Sequence, residues 1–423
     1  MNKNILFVHQ HFPGQFKHIA SELCKDNNVH SISLHDKYIE GVTHHKYYPS
    51  QGSSDTTHML AKEWEVKIIR GEGCANKAYE LKNNGFNPDL IIGHPGWGEL
   101  LFLKEVWPST KILSYLEFHY SLYGFDIGFD DEEGEDLDEV FTRRKLILRN
   151  AAFLSQYDNS DYFITPTEFQ KSSFPDRIKS KINVIHEGID TNRFIPADNP
   201  EIKVGVVNEN AEMKVGGFDL TKEKKIILFV NRNLEPYRGY HIFMRSLPGI
   251  FKEHPDALVI IVGGESVSYG KKPEEGTTWR QKFFNEVKDN IDVNRVLYTG
   301  YLPDHRNLTK LMQLATVQVY LTYPFVLSWS LLESLSCGLL VIGSDTGPVR
   351  EVITDGENGL LVDFFDHENI SKKVNEVFTN PNQFESIRKN ARKRMIENYD
   401  LEKICLPKTL ELINDILEGK DGS

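Results

Sequence analysis

The stretch KIILFVNRNLEPYRGYHIFMRSLPGIFKEHPDALVIIVGG, residues 225–264, decides the fold. It begins and ends with short apolar runs, 225–230 and 257–264, which are typical of buried strands. Between them, apolar residues recur at three- and four-residue steps over 240–254, which predicts a helix. A strand, a helix and a second strand in this order predict a βαβ unit with parallel strands.

The same alternation continues along the whole chain. Strand-like runs form two series with helical patterns between the runs, and the polar, irregular stretch 196–225 between the two series predicts a linker. The first series is NILFV (4–8), HSISL (30–34), DLIIG (89–93), KILSYL (111–116), YFITP (162–166) and INVIHEG (182–188), and the second is KIILFV (225–230), ALVIIVGG (257–264), RVLYTG (295–300), VQVYLT (317–322) and LLVIGSD (339–345).

Two such series predict an α/β protein with two doubly wound, Rossmann-like domains. A chain of 423 residues is long enough for two or three domains. Parallel sheets bind ligands beyond the carboxyl ends of their strands, so we expect two facing sheets with a ligand in the cleft between them. We place an N-terminal domain at 1–200, a linker at 201–222, a C-terminal domain at 223–398, and a final amphipathic helix at 399–423 that packs back toward the N-terminal domain.

The composition excludes several classes of protein. Hydrophobic residues make up 40% and charged residues 26% of the chain, as in ordinary globular proteins. The net charge of −12 disfavours a broad phosphate-tracking surface for nucleic acid. The four cysteines lie far apart, which favours reduced thiols in a cytosolic protein over disulfides or a zinc site. With no signal-peptide pattern and no apolar stretch of roughly 18 residues, we expect a cytoplasmic protein, with peripheral contact to the inner face of the membrane left open.

Two strand exits carry features that suit phosphate binding. Arg232 and Arg238 follow the strand 225–230 and flank the start of the next helix. A diphosphate would bind both guanidiniums by charge-assisted hydrogen bonds, although two solvated arginines explain this segment equally well. In HQHFPGQF (9–16), Gly14 lets a ligand approach the backbone at a helix start, and a plain turn is the alternative.

Polar and aromatic side chains crowd two other strand exits. A tight turn that carries His, Trp and Glu is uncommon as pure structure, so we favour a binding role for the first group. The second group could be buried and paired, or could point into the cleft as acid, base or hydroxyl partners. The first group is His94, Trp97, Gly98 and Glu99, and the second is Glu117, His119 and Tyr120.

One segment of the N-terminal half is strongly acidic. GFDIGFDDEEGEDLDEVF, residues 124–141, predicts a solvated loop that leads into a helix, because charge runs usually face water. Metal binding by its carboxylates is the alternative.

On these motifs the chain resembles the GT-B glycosyltransferases, in particular glycosyltransferase family 4, over nearly its whole length. VIHEGIDTNRFIP (184–196) is similar to the family signature N-G-V-D-x-x-x-F-x-P. NRNLEPYRG (231–239) is similar to its diphosphate site G-R-x-x-x-x-K-G, with Arg238 where lysine is usual, and residues 331–363 resemble its donor-binding core. HQHFPGQF, PDLIIGHPGWGELLFLKEVWP, YLEFHY and ITPTEFQKSSFP resemble the N-terminal domain of one family-4 subgroup that is often associated with polysaccharide assembly.

The resemblance implies a retaining transferase that moves a hexosyl or pentosyl group from a nucleotide-diphosphate sugar to an acceptor hydroxyl, without a metal or cofactor. The acceptor would be a glycan or lipid-linked glycan. No clean carboxylate pair is visible, so we favour front-face transfer in which the leaving phosphate helps to take the acceptor proton. Together with the residues at strand ends, the resemblance also assigns three sets of site residues. The catalytic residues would be Arg232, Arg238, Glu117 and His119, and the donor would be bound by Gly14, Arg232, Arg238, Gly264, Ser328, Trp329, Ser330 and Glu333. The acceptor would be bound by His94, Trp97, Gly98, Glu99 and Tyr120.

One position departs from the family pattern. Most family-4 members have two glutamates eight positions apart, and Glu333 matches the second, which binds the ribose hydroxyls. Phe325 stands where the first would contact the transferred sugar. The usual Gly-Phe-Gly of this turn is Val-Leu-Ser at 326–328. We therefore predict an intact nucleotide half and a changed sugar half of the donor site, with polar contacts from Ser328, Ser330 or the backbone.

Other functions stay open. A nucleotide-sugar epimerase of GT-B fold and a non-catalytic sugar-nucleotide binding protein are two alternatives, whereas a phosphorylase lacks a pyridoxal-type lysine motif here. A viral enzyme that glycosylates hydroxymethylated cytosine in DNA is a third, and it would need clustered basic residues around the cleft. RRKLILRN (143–150) and KSSFPDRIKSK (171–181) are the candidates, and solvated helix faces explain them equally well.

Overall fold

The computed structural model describes residues 2–133, 140–197, 203–207, 213–220, 223–302 and 304–420. Their contacts divide the chain into two compact units, and each unit contains a parallel sheet with helical connections, as predicted for an α/β protein with two Rossmann-like domains. The first unit is Met1–Leu122, Leu137–Glu187 and Glu402–Ser423, and the second is Tyr123–Asp136 and Gly188–Leu401.

The first unit is built on a seven-stranded parallel sheet whose two faces are both covered. In its strand Asn4–Val8, Ile5 and Phe7 belong to one apolar cluster, and Leu6 and Val8 belong to another. Burial of both faces explains why the strands are continuous apolar runs rather than alternating ones. In spatial order the strands are β3 (Thr43–Lys46), β2 (Asn28–Ser33), β1 (Asn4–Val8), β4 (Leu90–Gly93), β5 (Lys111–Tyr115), β6 (Tyr162–Thr165) and β7 (Ile182–Val184).

The helices of this unit include the C-terminal one. After a π-helical turn, Leu401–Cys405, the last helix begins at Leu406, and its Ile413 and Ile416 are buried in the cluster that contains Ile5. The helices are α1 (Lys17–Leu23), α2 (Lys62–Asn83), α3 (Leu103–Val106), α4 (Val140–Tyr157), α5 (Glu168–Ser172), α6 (Asp176–Lys179) and α14 (Leu406–Glu418).

The second unit contains a six-stranded parallel sheet and a two-stranded antiparallel sheet. Phe229, on the strand Ile226–Asn233, stacks on Phe243 of the following helix with ring centroids 4.4 Å apart, which fixes this βαβ unit. The six strands, in spatial order, are β12 (Val296–Gly300), β11 (Leu258–Gly264), β10 (Ile226–Asn233), β13 (Val317–Tyr320), β14 (Leu340–Ser344) and β15 (Leu360–Val362), and the pair is β8 (Lys203–Val207) and β9 (Met213–Asp219). The helices are α7 (Tyr240–Glu253), α8 (Trp279–Val287), α9 (His305–Leu314), α10 (Trp329–Ser336), α11 (Gly347–Val352), α12 (His367–Thr379) and α13 (Glu385–Asn398).

Two segments differ from the sequence prediction. The predicted linker contains the paired strands β8 and β9, whose valines have high strand propensity, while residues 201–202, 208–212 and 221–222 lie outside the described residues. The acidic stretch is not a solvated loop over its described part, because Asp126 and Asp130 are only 2% and 3% exposed. Its residues 134–139 lie outside the described part.

Two searches of the described residues returned nothing. No helix there combines the length and the apolar character that crossing a membrane requires. No group of three or more His, Cys, Asp or Glu side chains in that part of the chain is arranged to hold a metal ion.

Candidate functional site

The candidate site of the second unit is centred on a buried arginine, Arg238. Arg238 ends a 3-10 turn, Pro236–Arg238, that joins β10 to α7, and it is 6% exposed. Its Nη1 donates to the Thr322 hydroxyl at 2.7 Å and to the Val326 carbonyl oxygen at 2.8 Å. Among the described residues, no carboxylate forms an ion pair with this guanidinium. The Glu235 carboxylate acts on this guanidinium without forming an ion pair. Because a buried charge with no directly paired counter-charge is costly, the site favours an anion.

The backbone at this turn can be formed only by glycine. Gly239 has a φ of +68°, and a Cβ there would lie 2.2 Å from the Cβ of Leu321. The start of α7 therefore packs directly against the segment that follows β13. This close approach brings Arg238 to Thr322 and Val326, which are distant in the sequence.

A second buried residue shapes the same site. Glu235 is 1% exposed, and one carboxylate oxygen accepts the backbone N–H groups of Ser268, Tyr269 and Gly270 at 3.2, 3.2 and 3.3 Å. Burial raises the pKa of Glu235, although the three amides oppose the rise. The loop held in this way places the Tyr269 ring 5.2 Å from the Arg238 guanidinium.

Phe325 is part of an aromatic wall. It is 2% exposed, and its ring meets those of Tyr237 and Tyr269 edge-on at centroid distances of 5.2 and 5.1 Å. The position at which the resemblance expects a sugar-binding glutamate is therefore filled by apolar packing.

The start of α10 lies on the same turn. Ser328 is its N-cap, and the Ser328 Oγ accepts the amide of Ser330 at 3.4 Å. The Ser328 amide donates to the Tyr320 hydroxyl at 2.8 Å, so this amide already has a protein partner. Trp329 is 45% exposed at the first position of the helix.

Glu333 lies on α10 and is 7% exposed. Burial raises its pKa to about 7, against the opposing effect of the Arg193 guanidinium. A carboxyl group with this pKa gains or loses its proton near neutral pH, and groups with such shifted pKa values are common at functional sites.

Arg232 and Gly264 end two neighbouring strands. The register of β10 with β11 shifts between Val230 and Asn233, and Arg232 is exposed within this irregularity. The Gly264 carbonyl accepts the amide of Leu234 at 2.9 Å, and a Cβ on Gly264 would lie 2.8 Å from the Asn233 Oδ1. Both residues therefore lie at the carboxyl ends of their strands, where parallel sheets bind ligands.

In the first unit, four rings pack together beyond the ends of β1 and β4. We call them the aromatic group: His9, His11, His94 and Trp97. Trp97 stacks on His94 at a centroid distance of 4.4 Å and meets the His9 and His11 rings edge-on at 4.9 and 5.5 Å. Trp97 stays half-buried, whereas His9 and His94 are buried.

Hydrogen bonds from backbone amides indicate the tautomer of the two buried histidines. His94 Nδ1 accepts the amide of Gly96 at 3.0 Å, so a neutral ring carries its proton on Nε2, which lies 3.6 Å from the Glu117 carboxylate. His9 Nδ1 accepts the amide of His11 at 2.9 Å, and its Nε2 lies 2.8 Å from the Gln15 Oε1. Burial, assisted by His94, lowers the pKa of His9 to about 3, so this ring is neutral.

Gly14 is held against His9. Its φ is +46°, and a Cβ there would lie 2.6 Å from His9 Cε1. The turn predicted to admit a phosphate is therefore packed against an imidazole ring, and Gly14 leaves room for that ring.

Four further residues predicted at the active site make contacts within the first unit. Glu99 is fully buried and accepts a hydrogen bond from Tyr47 at 2.7 Å, and burial raises its pKa. A Cβ on Gly98 would lie 2.3 Å from the Lys67 carbonyl oxygen, so Gly98 permits a close backbone contact. The remaining two have aromatic or cationic neighbours: the His119 ring lies beside those of Tyr157 and Phe174, and Tyr120 lies beneath the Arg149 guanidinium and packs against the apolar cluster around Phe153.

Comparisons with known proteins agree with this architecture. Residues 21–194 match the family model "Glycosyl transferase family 4 group", and residues 214–394 match "Glycosyl transferases group 1". The two matches cover both sheet-bearing units. The chain is a glycosyltransferase of the GT-B fold.

Individual relatives of this glycosyltransferase are distant. Spore coat protein SA of Bacillus subtilis (strain 168) is 24% identical over 77% of this chain and 78% of its own length. The structure of Anabaena Alr3699/HepE in complex with UDP and glucose has a TM-score of 0.67 at 15% identity and covers 98% of this chain and 100% of that one. Sucrose-phosphate synthase from Thermosynechococcus elongatus has a TM-score of 0.70 at 14% identity and covers 99% and 100%.

Several residues at these sites gave no signal in the sequence of the glycosyltransferase. Glu235 reads as an ordinary charged loop residue, and its three amide partners lie more than thirty positions away in the chain. Arg193 approaches Glu333 only through the fold. Tyr115, at the end of β5, donates to Glu187, and a buried tyrosine at a strand end is the only hint the sequence offers.

Proposed function

We propose that this enzyme transfers a sugar, with retention of configuration and without a metal, from a nucleotide-diphosphate sugar to a hydroxyl group of a glycan or lipid-linked glycan. The buried Arg238 is the observation that carries the proposal. The HepE protein has been solved with UDP-glucose, which supports a nucleotide sugar as the donor.

Arg238 acts on the diphosphate as it leaves. When the bond from the anomeric carbon to the phosphate oxygen breaks, negative charge grows on that oxygen, and a guanidinium already buried beside it stabilises the charge without reorganisation. Arg232, at the exposed end of β10, adds a second cation. At the helix start the donors are the Trp329 amide and one serine hydroxyl. The Ser328 amide is used by Tyr320, and the hydroxyls of Ser328 and Ser330 share a hydrogen bond of 2.9 Å, which leaves one hydroxyl proton of the pair.

Glu333 binds the nucleoside in this proposal. As a carboxylate it accepts hydrogen bonds from the ribose hydroxyls, and its neighbour Arg193 favours the charged form. Phe325 and the aromatic wall replace the usual carboxylate contact to the sugar. The sugar hydroxyls are then bound by Ser328, Ser330 and backbone groups.

The acceptor is bound by the first unit. Trp97 offers an aromatic face, and Glu117 and His94 offer polar atoms 3.6 Å apart. The HPGWGE sequence that contains His94 and Trp97, and the YLEFHY sequence that contains Glu117, resemble those of a subgroup associated with polysaccharide assembly. This resemblance supports a cytoplasmic enzyme that acts on a surface glycan precursor. The leaving phosphate takes the acceptor proton, so no protein base is required.

A nucleotide-sugar screen tests the proposal. Each donor is first tested by thermal shift, because a true ligand raises the unfolding midpoint by mass action. The best donor is then incubated with and without acceptor glycans in the presence of a chelator, and the anomeric configuration of the product is read by NMR. Retained configuration in the chelated reaction supports the proposal. Binding without any turnover would favour the non-catalytic alternative, and donor isomerisation without acceptor would favour the epimerase.

The same screen includes hydroxymethylated DNA as an acceptor. Three of the basic residues in the two candidate segments form local ion pairs: Arg149 with Glu63 at 3.3 Å, Lys171 with Glu168 at 3.9 Å, and Lys179 with Asp176 at 3.3 Å. Surface pairs of this kind hold lysine and arginine loosely, so binding of DNA that weakens steeply with salt would still favour the DNA enzyme.

A further inference from the structure

The acidic segment, residues 123–133, belongs to the second unit although the chain around it belongs to the first. It leaves the first unit after β5 and returns to it at α4. Its glutamates pair with bases of the second unit: Glu132 binds Arg245 through two hydrogen bonds of 2.6 and 2.7 Å, and Glu133 binds Lys282. The segment is therefore bound to the second unit through an exposed residue, Glu132, and a buried one, Glu133.

An aromatic ring anchors the middle of the segment. Phe129 lies 5.2 Å, between ring centroids, from each of Tyr323, Phe364 and Phe365. Packing of this kind stabilises a fixed position rather than a transient charge contact.

Asp130 has more hydrogen-bond partners than a surface carboxylate needs. Its Oδ2 accepts the Tyr323 hydroxyl at 2.5 Å and lies 3.0 Å from His241 Nε2, while its Oδ1 accepts the amides of Glu132 and Glu133 at 2.9 and 3.0 Å. Burial alone would raise the pKa of Asp130, but the hydrogen bonds outweigh it and hold the pKa well below its usual range. Asp130 is therefore a buried carboxylate that is fixed from both oxygens.

Asp126 makes the second tyrosine contact. The Tyr237 hydroxyl donates to Asp126 Oδ2 in a part of the site where both side chains are buried. The rings of Tyr237 and Tyr323 contact each other at a centroid distance of 4.6 Å, and the Tyr323 amide donates to the Tyr237 carbonyl oxygen at 3.1 Å. The two aspartates thus hold a single tyrosine pair.

This tyrosine pair is continuous with the candidate diphosphate site. Tyr237 immediately precedes Arg238, and Tyr323 immediately follows Thr322, whose hydroxyl accepts from Arg238 Nη1. A shift of either ring would move the guanidinium or its acceptor. An arginine that must meet a diphosphate in a fixed geometry depends on such support.

We propose that Asp126 and Asp130 are positioning residues for the donor site: by holding Tyr237 and Tyr323, they fix the Arg238 guanidinium and Thr322 in the arrangement that binds a nucleoside diphosphate. The inference rests on the proposed function, because it assigns Arg238 to the diphosphate. Neither aspartate touches the ligand.

The test uses the full-length chain and UDP, the nucleotide present in the HepE structures. The variants are Asp126→Ala combined with Asp130→Ala, Tyr237→Phe combined with Tyr323→Phe, and the matched control Asp131→Ala, which removes an exposed carboxylate from the same segment. Dissociation constants are measured by calorimetry at a temperature at which circular dichroism shows every variant folded.

We expect UDP binding to weaken at least about tenfold in the double aspartate variant and to stay within about twofold in Asp131→Ala. The tyrosine variant keeps both rings and loses only the two hydroxyls, so it should weaken UDP binding with a smaller fall in unfolding temperature. It also decides the matter if the double aspartate variant does not fold.

The outcomes separate the inference from the proposed function. Unchanged UDP affinity in folded aspartate and tyrosine variants, with UDP lost in Arg238→Ala, would overturn the positioning role and leave the donor site in place. A wild-type protein that binds neither UDP, GDP nor ADP would overturn the proposed donor site, and the positioning role with it.

Discussion

The two candidate sites differ in the charge of their buried side chains. In the second unit, the Arg238 guanidinium keeps its charge in spite of burial, because it does not lose its proton, and its hydrogen-bond partners among the described residues are neutral. In the first unit, burial removes a charge, because it lowers the pKa of His9 to about 3. Of the two sites, the one with a buried cation is the better suited to an anion. The aromatic group offers ring faces and ring nitrogens, which suit a sugar hydroxyl.

The largest expected effect comes from removing the retained charge. Arg238→Ala should lower turnover of the nucleotide-diphosphate sugar by about 10²- to 10³-fold, because a preorganised donor to the leaving oxygen is lost. Initial rates at fixed donor concentration measure the loss. Arg238→Lys is the control, since it keeps the positive charge but lacks the planar fork with which a guanidinium binds a phosphate through two nitrogens. A rate within a few-fold of wild type in Arg238→Ala would break the assignment of anion chemistry to this unit.

The next effect should appear on the acceptor side alone. Trp97→Ala removes the half-buried face of the aromatic group, and we expect transfer to the acceptor to fall by about tenfold to a hundredfold, as for a central aromatic contact. UDP affinity should not change. Transfer rates and UDP calorimetry on the same preparation distinguish the two effects. Trp64→Ala, another half-buried tryptophan of the first unit, serves as the control. Equal loss in both variants would indicate a general effect on folding.

Most of the fold can be predicted from the sequence, whereas the burial of individual side chains at the two sites cannot. The strand series, the two-domain organisation and the residues at strand ends follow from local patterns, because apolar periodicity is a local property. The location of Arg238 just beyond the end of β10 can be predicted in the same way, because the apolar run that forms the strand is visible in the sequence. The burial of Glu99 and His119 could not be predicted, because alternation along a strand exit does not show which side chain turns into the core.

Docking of the acidic segment could not be predicted from the sequence for a different reason. A run of carboxylates normally indicates solvent, and nothing near Asp130 in sequence identifies Tyr323 or His241 as its partners. Long-range polar pairs of this kind are set by the tertiary fold. The contacts of Glu235 with the amides of residues 268–270 could not be predicted for the same reason. Contacts of this long-range kind hold the loops of the second site.

A smaller effect tests whether the second site also contains a group that titrates. Ribose hydroxyls donate to the charged form of Glu333, whose pKa burial raises to about 7, so UDP affinity should rise as the pH increases from 6 to 8. We expect a rise of about fivefold to tenfold in wild type relative to Glu333→Gln. The ratio between the two proteins removes the titration of the nucleotide itself. Parallel pH profiles would show that Glu333 does not face the ribose.

The same carboxyl group has a stability signature of opposite sign. The folded pKa of about 7 lies above the ordinary value of 4.5, so the unfolded chain loses its proton first. The contribution of Glu333 to the free energy of unfolding therefore falls as pH rises from about 4.5 to 7. Urea unfolding at both ends of this range should show a shallower pH dependence in Glu333→Gln than in wild type.

The smallest expected effect depends on how tightly the aromatic group of the first unit is packed. Gly14 and Gly85 both have positive φ, at +46° and +88°, but only Gly14 has a neighbour within 4 Å of a new Cβ, namely the His9 ring at 2.6 Å. Alanine strains the backbone at both positions, so Gly85→Ala is the control for that strain. We expect Gly14→Ala to lower the free energy of unfolding by about 1–3 kcal/mol more than Gly85→Ala, as for overpacking of a close-packed site. Equal losses in urea unfolding would mean that the His9 ring yields to a methyl group. The aromatic group would then be adaptable, in contrast to the buried arginine of the second unit.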